Sequence, residues 1–193
     1  MSPMNSFWPY GFLVAAVACE RLVELRISRR HTKKAFEAGG IEAGVGHYPW
    51  MVALHAIFLI ACPLEVFLLA RPFRLSLALS MLGLLVASMA LRYWTIATLG
   101  ERWTTRVIWV PGREIAVQGP FRWMRHPNYV AVIVEMLALP LVHGAWLTAV
   151  VFSAANASLL RVRMKAEERL LCRHGEYAGR LASRPWFLPR RVG

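Results

Sequence analysis

Apolar positions in this chain collect into stretches separated by polar or proline- and glycine-marked breaks, each stretch near the ~20 residues that cross a hydrocarbon core of ~30 Å. The first covers about Phe7 to Leu25, the second His47 to Ala70 with Pro63 as a kink, and the third Leu75 to Leu99. The run from Asn128 to Leu160 is too long for one crossing, and Pro140-Leu141-Val142-His143-Gly144 breaks it into a tight hairpin of two spans. The pattern predicts an all-α integral membrane protein of five transmembrane helices, one membrane-embedded domain over residues 1–193.

Charge placement supports that count independently. Arg26, Arg29, Arg30, Lys33 and Lys34 follow the first span, Arg92, Arg102, Arg106, Arg113, Arg122 and Arg125 follow the third, and a last basic group runs from Arg161 to Arg191. Only Arg71 and Arg74 occupy the second connection, and the hairpin tip carries no Lys or Arg. The positive-inside tendency then puts the N-terminus outside and the long connections and C-terminal tail in the cytoplasm, as in a bacterial inner membrane. No basic segment precedes the first apolar run, so that span is expected to be kept rather than cleaved.

Composition narrows the chemistry. The chain is 57% hydrophobic with a net charge of +12, but its cations punctuate apolar segments instead of forming a solvated face with stacking aromatics. Membrane lipids rather than nucleic acid are the expected partners. Every acidic residue is Glu, which removes an Asp-based triad, an EF-hand loop and an Asp-rich magnesium cluster. Cys19, Cys62 and Cys172 are scattered without CxxC spacing and are taken as small apolar fillers. His126 with His55 or His174 lacks the i,i+4 spacing of a helical metal pair, so no metal is expected.

Two cytoplasmic regions must meet to make a site. The connection after the third span, with Leu99-Gly100-Glu101-Arg102-Trp103 and Pro111-Gly112-Arg113, reads as loop with at most one short irregular element. Arg161 to about Leu181 reads as a helix continuing from the fifth span, stopped by Arg184-Pro185-Trp186-Phe187-Leu188-Pro189, whose aromatics suit the membrane interface.

Arg163 and Glu167 share a helix face four residues apart, with Glu168 adjacent, where the chain leaves the membrane. A solvated ion pair is the plain alternative to an anion anchor beside a carboxylate. In Arg125-His126-Pro127-Asn128-Tyr129, Pro127 can open a helix whose free N–H groups and positive dipole end suit a carboxylate. Arg21 and Glu24 are expected to compensate each other inside the first span, beside Glu20, and Glu65 to be solvated near the outer end of the second. Glu135 and His55 are candidates for lining a polar cavity within the spans.

The ordered set Gly119-Pro120-Phe121, Arg125-His126-Pro127-Asn128-Tyr129 and Arg163 with Glu167-Glu168 resembles the isoprenylcysteine carboxyl methyltransferase family over about Arg92 to Trp186. The resemblance implies a single methyltransferase domain, with N-terminal spans in 1–91 and cofactor binding and catalysis in 92–193. It implies S-adenosylmethionine as methyl donor, in a cytoplasmic pocket formed by the loop after the third span and the C-terminal helix. By position, Arg113, Glu114, Ile115, Ala116, Phe121, His126, Pro127, Asn128 and Tyr129 would line the cofactor pocket. Glu167 would contact the cofactor, and Arg163 would hold the acceptor's anionic group, the two forming the catalytic pair. The segments Glu20 to Arg26 and Gly44 to Pro49 are similar to a bacterial branch acting on long-chain polyketide pyrones or phenols. The expected function is therefore O-methylation of a lipophilic acceptor, a prenylated carboxylate or an acidic enol or phenol. A membrane reductase using a nicotinamide cofactor and a non-enzymatic lipid-binding protein are the alternatives.

Overall fold

The computed structural model describes residues 3–174 and 184–187. Among the described residues five α-helices carry the chain: α1 (Pro3–Glu37), α2 (Tyr48–Leu68), α3 (Leu75–Leu99), α4 (Pro127–Leu141) and α5 (Trp146–His174). Proline stands in the first turn of α2, at Pro49, and opens α4, at Pro127, where a missing N–H costs nothing. Helix α3 matches the expected third span at both ends. Helices α1 and α5 continue well past their apolar parts, and the rest of the tail helix expected to reach Leu181 lies outside the described residues.

The hairpin break falls where proline and glycine put it. Ala145 N–H bonds the Pro140 carbonyl at 2.9 Å and Gly144 N–H that of Leu141 at 3.2 Å, with Gly144 at φ 72°. A side chain is disfavoured in that left-handed conformation, so glycine closes the turn between α4 and α5.

Successive helices run in opposite directions. Ser6, early in α1, bonds His143 at the hairpin turn at 3.0 Å, and Phe7 packs on Phe67 near the end of α2. At the opposite end, Ser28 of α1 and Tyr48 of α2 both reach Thr105 beyond α3, at 2.8 and 3.2 Å. The core between these ends is built from Tyr10, Val14 and Val17 of α1, Phe58 and Cys62 of α2, Leu85 of α3, and Met136 and Leu139 of α4.

The expectation of an all-α fold is corrected at one end. Strands β1 (Ile41–Ala43) and β2 (Val107–Trp109) pair antiparallel, Ile41 opposite Trp109 and Ala43 opposite Val107. The α1–α2 and α3–α4 connections meet there, and pairing satisfies backbone groups that a bare loop would leave open. The α3–α4 connection accordingly holds β2 and short 3₁₀ turns at Gly100–Arg102 and Gly119–Arg122, more than one irregular element.

Among the described residues two helical segments, Val45–Leu68 and Leu75–Arg102, are long and apolar enough to cross a membrane; α4 is apolar but shorter. Only 22% of the most apolar window of each is buried inside the protein, which separates them from the core helices of a soluble domain.

Charged residues inside the bundle depart from the sequence reading twice. Arg92, expected in the basic connection, lies within α3, buried, bonded to Glu135 of α4 and 3.6 Å from Glu24 of α1. Arg21 does pair with Glu24, at 2.8 Å, and also with Glu20, so three carboxylates and two guanidiniums form one network. Glu65, expected to be solvated, is buried and accepts the N–H groups of Leu147 and Thr148 in the first turn of α5 and Arg71 Nε at 2.8 Å. A carboxylate at free N–H groups and the positive end of a helix is better placed than in water.

Candidate functional site

The end of the molecule that carries β1 and β2 is held by backbone contacts from three directions. Gly100 ends α3, and Arg102 reaches across the connection to donate from Nη1 to the Glu114 carbonyl at 2.7 Å. Gly119 sits against α3 at φ 56°, where a Cβ would stand 2.3 Å from Thr98 Oγ1. Glycine there is thus required by both conformation and space.

Residues 184–187 return to the connection instead of lying only at the membrane interface. Arg125 N–H donates to the Pro185 carbonyl at 3.0 Å and His126 N–H to that of Trp186 at 3.2 Å. Arg184 Nη1 donates to the Val117 and Phe121 carbonyls, and Phe187 packs against the cluster of Tyr129, Leu160 and Met164. Leu188 and Pro189 lie outside the described residues.

Helix α4 starts inside this clamp, with Tyr129 and Val130 N–H groups both bonded to the His126 carbonyl. The His126 ring stacks on Tyr129, 5.1 Å between centroids, and its Nε2 lies 3.3 Å from Glu168 Oε1, which Arg125 also contacts. Tyr129 is the centre of the site. Its hydroxyl donates to Glu167 and accepts from Arg163 Nε at 2.8 Å, so the two α5 residues meet through a tyrosine on α4 rather than as a solvated ion pair.

Arg163 is 6% exposed and donates further from Nη1 to the Thr105 carbonyl at 2.7 Å. With Nη1 also 3.5 Å from Met51 Sδ of α2, these bonds hold the guanidinium from α4, α2 and the α3–α4 connection. Among the described residues no hydrogen bond uses Nη2, which leaves one end of a planar, permanently charged fork for an external acceptor.

A cavity opens beside this group, between the Arg113–Ala116 arm, β2, the start of α4 and the end of α5. All eleven residues expected at the site contribute to its wall: Arg113, Glu114, Ile115, Ala116, Phe121, His126, Pro127, Asn128, Tyr129, Arg163 and Glu167. Ala35 of α1 and Thr95 of α3 line it too, so the N-terminal helices help to build it. Glu65, Glu135, His55 and the Glu20–Glu24 segment lie outside that wall. His174 belongs to the residues whose side chains are not described. Among the described residues no three His, Cys or Glu side chains converge as metal ligands.

Several residues at the site are not readable from motif spacing. Trp103, 3% exposed, has its carbonyl bonded by His31 of α1 at 2.8 Å and is one of the residues lining the cavity. Arg106, also in the wall, bonds Glu42 of β1 at 3.0 Å and lies 4.7 Å from the Tyr48 ring centroid. The one signal for them is an aromatic and a cation beside two threonines in an otherwise turn-like segment.

Comparison with known proteins bears on the same region. Residues 81–173, which hold the cavity's α4 and α5 walls, match the model of the isoprenylcysteine carboxyl methyltransferase (ICMT) family. The chain is 36% identical to the uncharacterized protein YpbQ of Bacillus subtilis over 86% of its own length and 96% of the relative's. It is 32% identical to an uncharacterized protein of Haemophilus influenzae over 80% of its length and 90% of that relative's. With its apolar helices and the ordered motif set walling one cavity, the chain belongs to the isoprenylcysteine carboxyl methyltransferase family of membrane methyltransferases.

Proposed function

We propose that the protein is an S-adenosylmethionine-dependent O-methyltransferase acting on a lipophilic acceptor at the cytoplasmic face of a bacterial inner membrane. One observation carries the proposal: cations, a carboxylate and an aromatic from three separate sequence segments wall a single cavity around the Arg163–Tyr129–Glu167 chain of hydrogen bonds. The residues fit the methyl donor. Its amino-acid and ribose parts need charged and hydrogen-bonding partners, which Arg113 and Glu167 in the wall can supply, while Trp103 Nε1 and Asn128 Oδ1 are buried atoms of wall residues without protein partners.

Bound there, the donor would supply an electrophilic methyl carbon on a sulfonium: an anionic acceptor oxygen would bond to that carbon in line as its bond to sulfur breaks, the neutral thioether leaving and the two charges cancelling. Arg163 orients that oxygen through its unused Nη2 while Tyr129 and Thr105 hold the guanidinium still. Positioning is the main requirement. A carboxylate acceptor is ionised at neutral pH and an acidic enol or phenol nearly so, hence no strong general base is needed. Glu167, held by the Tyr129 hydroxyl, offers its carboxylate to the cofactor's polar groups. The acceptor class that suits a cavity beside membrane helices is a prenylated carboxylate or the acidic enol or phenol of a long-chain polyketide. All five helices would cross the bilayer, with the N-terminus outside and the C-terminus cytoplasmic.

Calorimetry with S-adenosylhomocysteine tests the reading. The purified protein is expected to bind it, while reduced nicotinamide dinucleotide gives no heat; the reverse result would favour a reductase. Arg163→Ala is expected to lose turnover while keeping most of the cofactor affinity, and Glu167→Ala to lose cofactor affinity by about tenfold or more, the value of one charge-assisted hydrogen bond. Unimpaired kinetics in both variants would remove the role assignment.

A further inference from the structure

The last turns of α1 carry charge that the cavity does not use. Arg26, Arg29 and Arg30 are exposed, and among the described residues none of the three meets a carboxylate. Lys33 stands 3.8 Å from Glu37 in a solvated pair, and Lys34 pairs with Glu101. At about 100° per residue, Arg26, Arg30 and Lys33 point one way with Arg29 at their flank, while Ser28, His31 and Ala35 point the other. The outward stripe continues one turn deeper into apolar side chains, Leu22 and Val23, both more than half exposed.

An apolar stripe that passes into free guanidiniums on one helix face has the outline of a phospholipid, its chains along Leu22 and Val23 and its phosphate among the arginines. Arg26 and Arg30 are about 6 Å apart along the axis, so one phosphate reaches both, and the planar fork of arginine suits paired phosphate oxygens. A choline or ethanolamine head would bring its own cation against Arg29 and Lys33, so the head that fits is net negative. An acidic protein segment would match the charge but leave the apolar continuation unused.

The inner side of the same turns braces the cavity. Ser28 Oγ accepts the Thr105 N–H at 2.8 Å, His31 Nδ1 donates to the Trp103 carbonyl at 2.8 Å, and Ala35 is one of the lining residues. The Thr105 carbonyl in turn accepts from Arg163 Nη1 at 2.7 Å. Against this, Arg26 with Arg30, Arg29 with Lys33 and Arg30 with Lys34 are like charges four residues apart, a spacing that destabilises a helix. We propose that Arg26, Arg29 and Arg30 bind the phosphate of an anionic phospholipid whose chain lies on Leu22 and Val23, and that this lipid steadies the Trp103–Thr105 segment, and through it Arg163, from outside.

The test uses purified full-length protein, stripped of lipid in a neutral detergent and titrated with phosphatidylglycerol, phosphatidylcholine or inorganic phosphate. Phosphatidylglycerol is expected to raise the melting temperature by about 5–10 °C, the shift that a ligand at a hundred times its Kd gives a chain of this size, and the other two to give little of it. Amides of residues 103–107 are expected to exchange hydrogen about fivefold or more slowly with phosphatidylglycerol, the low end of a coupling between two sites. Arg26→Gln, Arg29→Gln and Arg30→Gln together remove both responses. Because they relieve repulsion, they leave the lipid-free melting temperature unchanged or higher, which the loss of a contact that holds the fold would not do. Arg122→Gln, Arg161→Gln and Lys165→Gln together, three exposed cations elsewhere, leave both responses in place.

Equal loss in the two triple variants would make the effect a diffuse attraction to a basic surface and overturn the site. An equal melting shift with phosphatidylcholine removes the headgroup selection, and one with inorganic phosphate removes the lipid; either ends the proposal. A shift without slower exchange at 103–107 overturns the brace. No readout here needs a methyl donor, so each outcome decides the lipid site whether or not that assignment holds.

Discussion

Arg92 and Glu135 define what a single residue does in this bundle. Each is about 95% buried, Arg92 at 5% exposure and Glu135 at 4%, and each has the other as its nearest opposite charge. Removing Arg92 leaves three carboxylates with the single guanidinium of Arg21 where water cannot reach, at a cost of about 3–5 kcal/mol, whereas removing Glu135 with it relieves that excess of negative charge. Arg92→Leu is expected to be strongly destabilising in detergent-driven unfolding, and Arg92→Leu with Glu135→Leu to recover most of the loss; additive effects would mean the two do not couple. The sequence could not assign Arg92 to this role, because an arginine seven residues before the end of an apolar helix reads equally as an interface cation. By contrast, His126, Tyr129, Arg163 and Glu167 were legible as a group, since the ordered motif constrains them jointly. Trp103 and Asn128 show the limit of that legibility. Asn128 lies inside a motif and Trp103 outside one, yet their lack of partners is visible only in three dimensions.

At the scale of elements, helix ends decide the architecture. Helix α5 begins at the hairpin turn with its free N–H groups directed at Glu65 of α2, so a contact between sequence-distant helices replaces a local cap. Glu65→Gln keeps the shape but gives up the charge that both the helix end and Arg71 use. It is expected to cost about 1–2 kcal/mol, from the helix dipole and a charged hydrogen bond together. Thermal unfolding of the variant measures this, and the loss should be smaller in an Arg71→Ala background, where one of the two partners is already gone. The apolar periodicity placed α3 correctly and the α4–α5 break at Pro140–Gly144, because proline and glycine act locally. It missed the β1–β2 pair, whose strands are three residues each and come from connections 64 to 68 residues apart in sequence, as the partners Ala43–Val107 and Ile41–Trp109 show. Pairing of that kind is a property of where the helices end, and no local pattern encodes it.

For the molecule as a whole, charge and cavity share one end. Arg102, Arg106, Arg113 and Arg125 surround the cavity, and Lys34 at the end of α1 pairs with Glu101 beside it. The opposite end holds the hairpin turn, and no Lys or Arg occurs between Pro127 and Leu160. If the cations face the cytoplasm, the cavity faces it too, which puts the opening where a water-soluble cofactor is made and the acceptor's tail in the bilayer beside it. The native cysteines make this directly measurable. Cys62 is fully buried, Cys19 is exposed midway along α1 on an apolar face, and Cys172 is exposed on α5 near the cavity end. A membrane-impermeant maleimide needs an aqueous thiolate, so Cys172 is expected to react only after spheroplasts are permeabilised. In a Cys172→Ser background, Trp146→Cys at the start of α5, where the native side chain is 51% exposed, should react in intact spheroplasts. Opposite accessibility of the two sites would turn the cavity outward and deprive it of cytosolic cofactor; labelling of both from one side would mean that α5 does not cross, and with it the five-span count would fall. The expected pattern ties topology to chemistry, because a transferase whose two substrates arrive in different phases works only if its cavity end meets the aqueous side that supplies the donor.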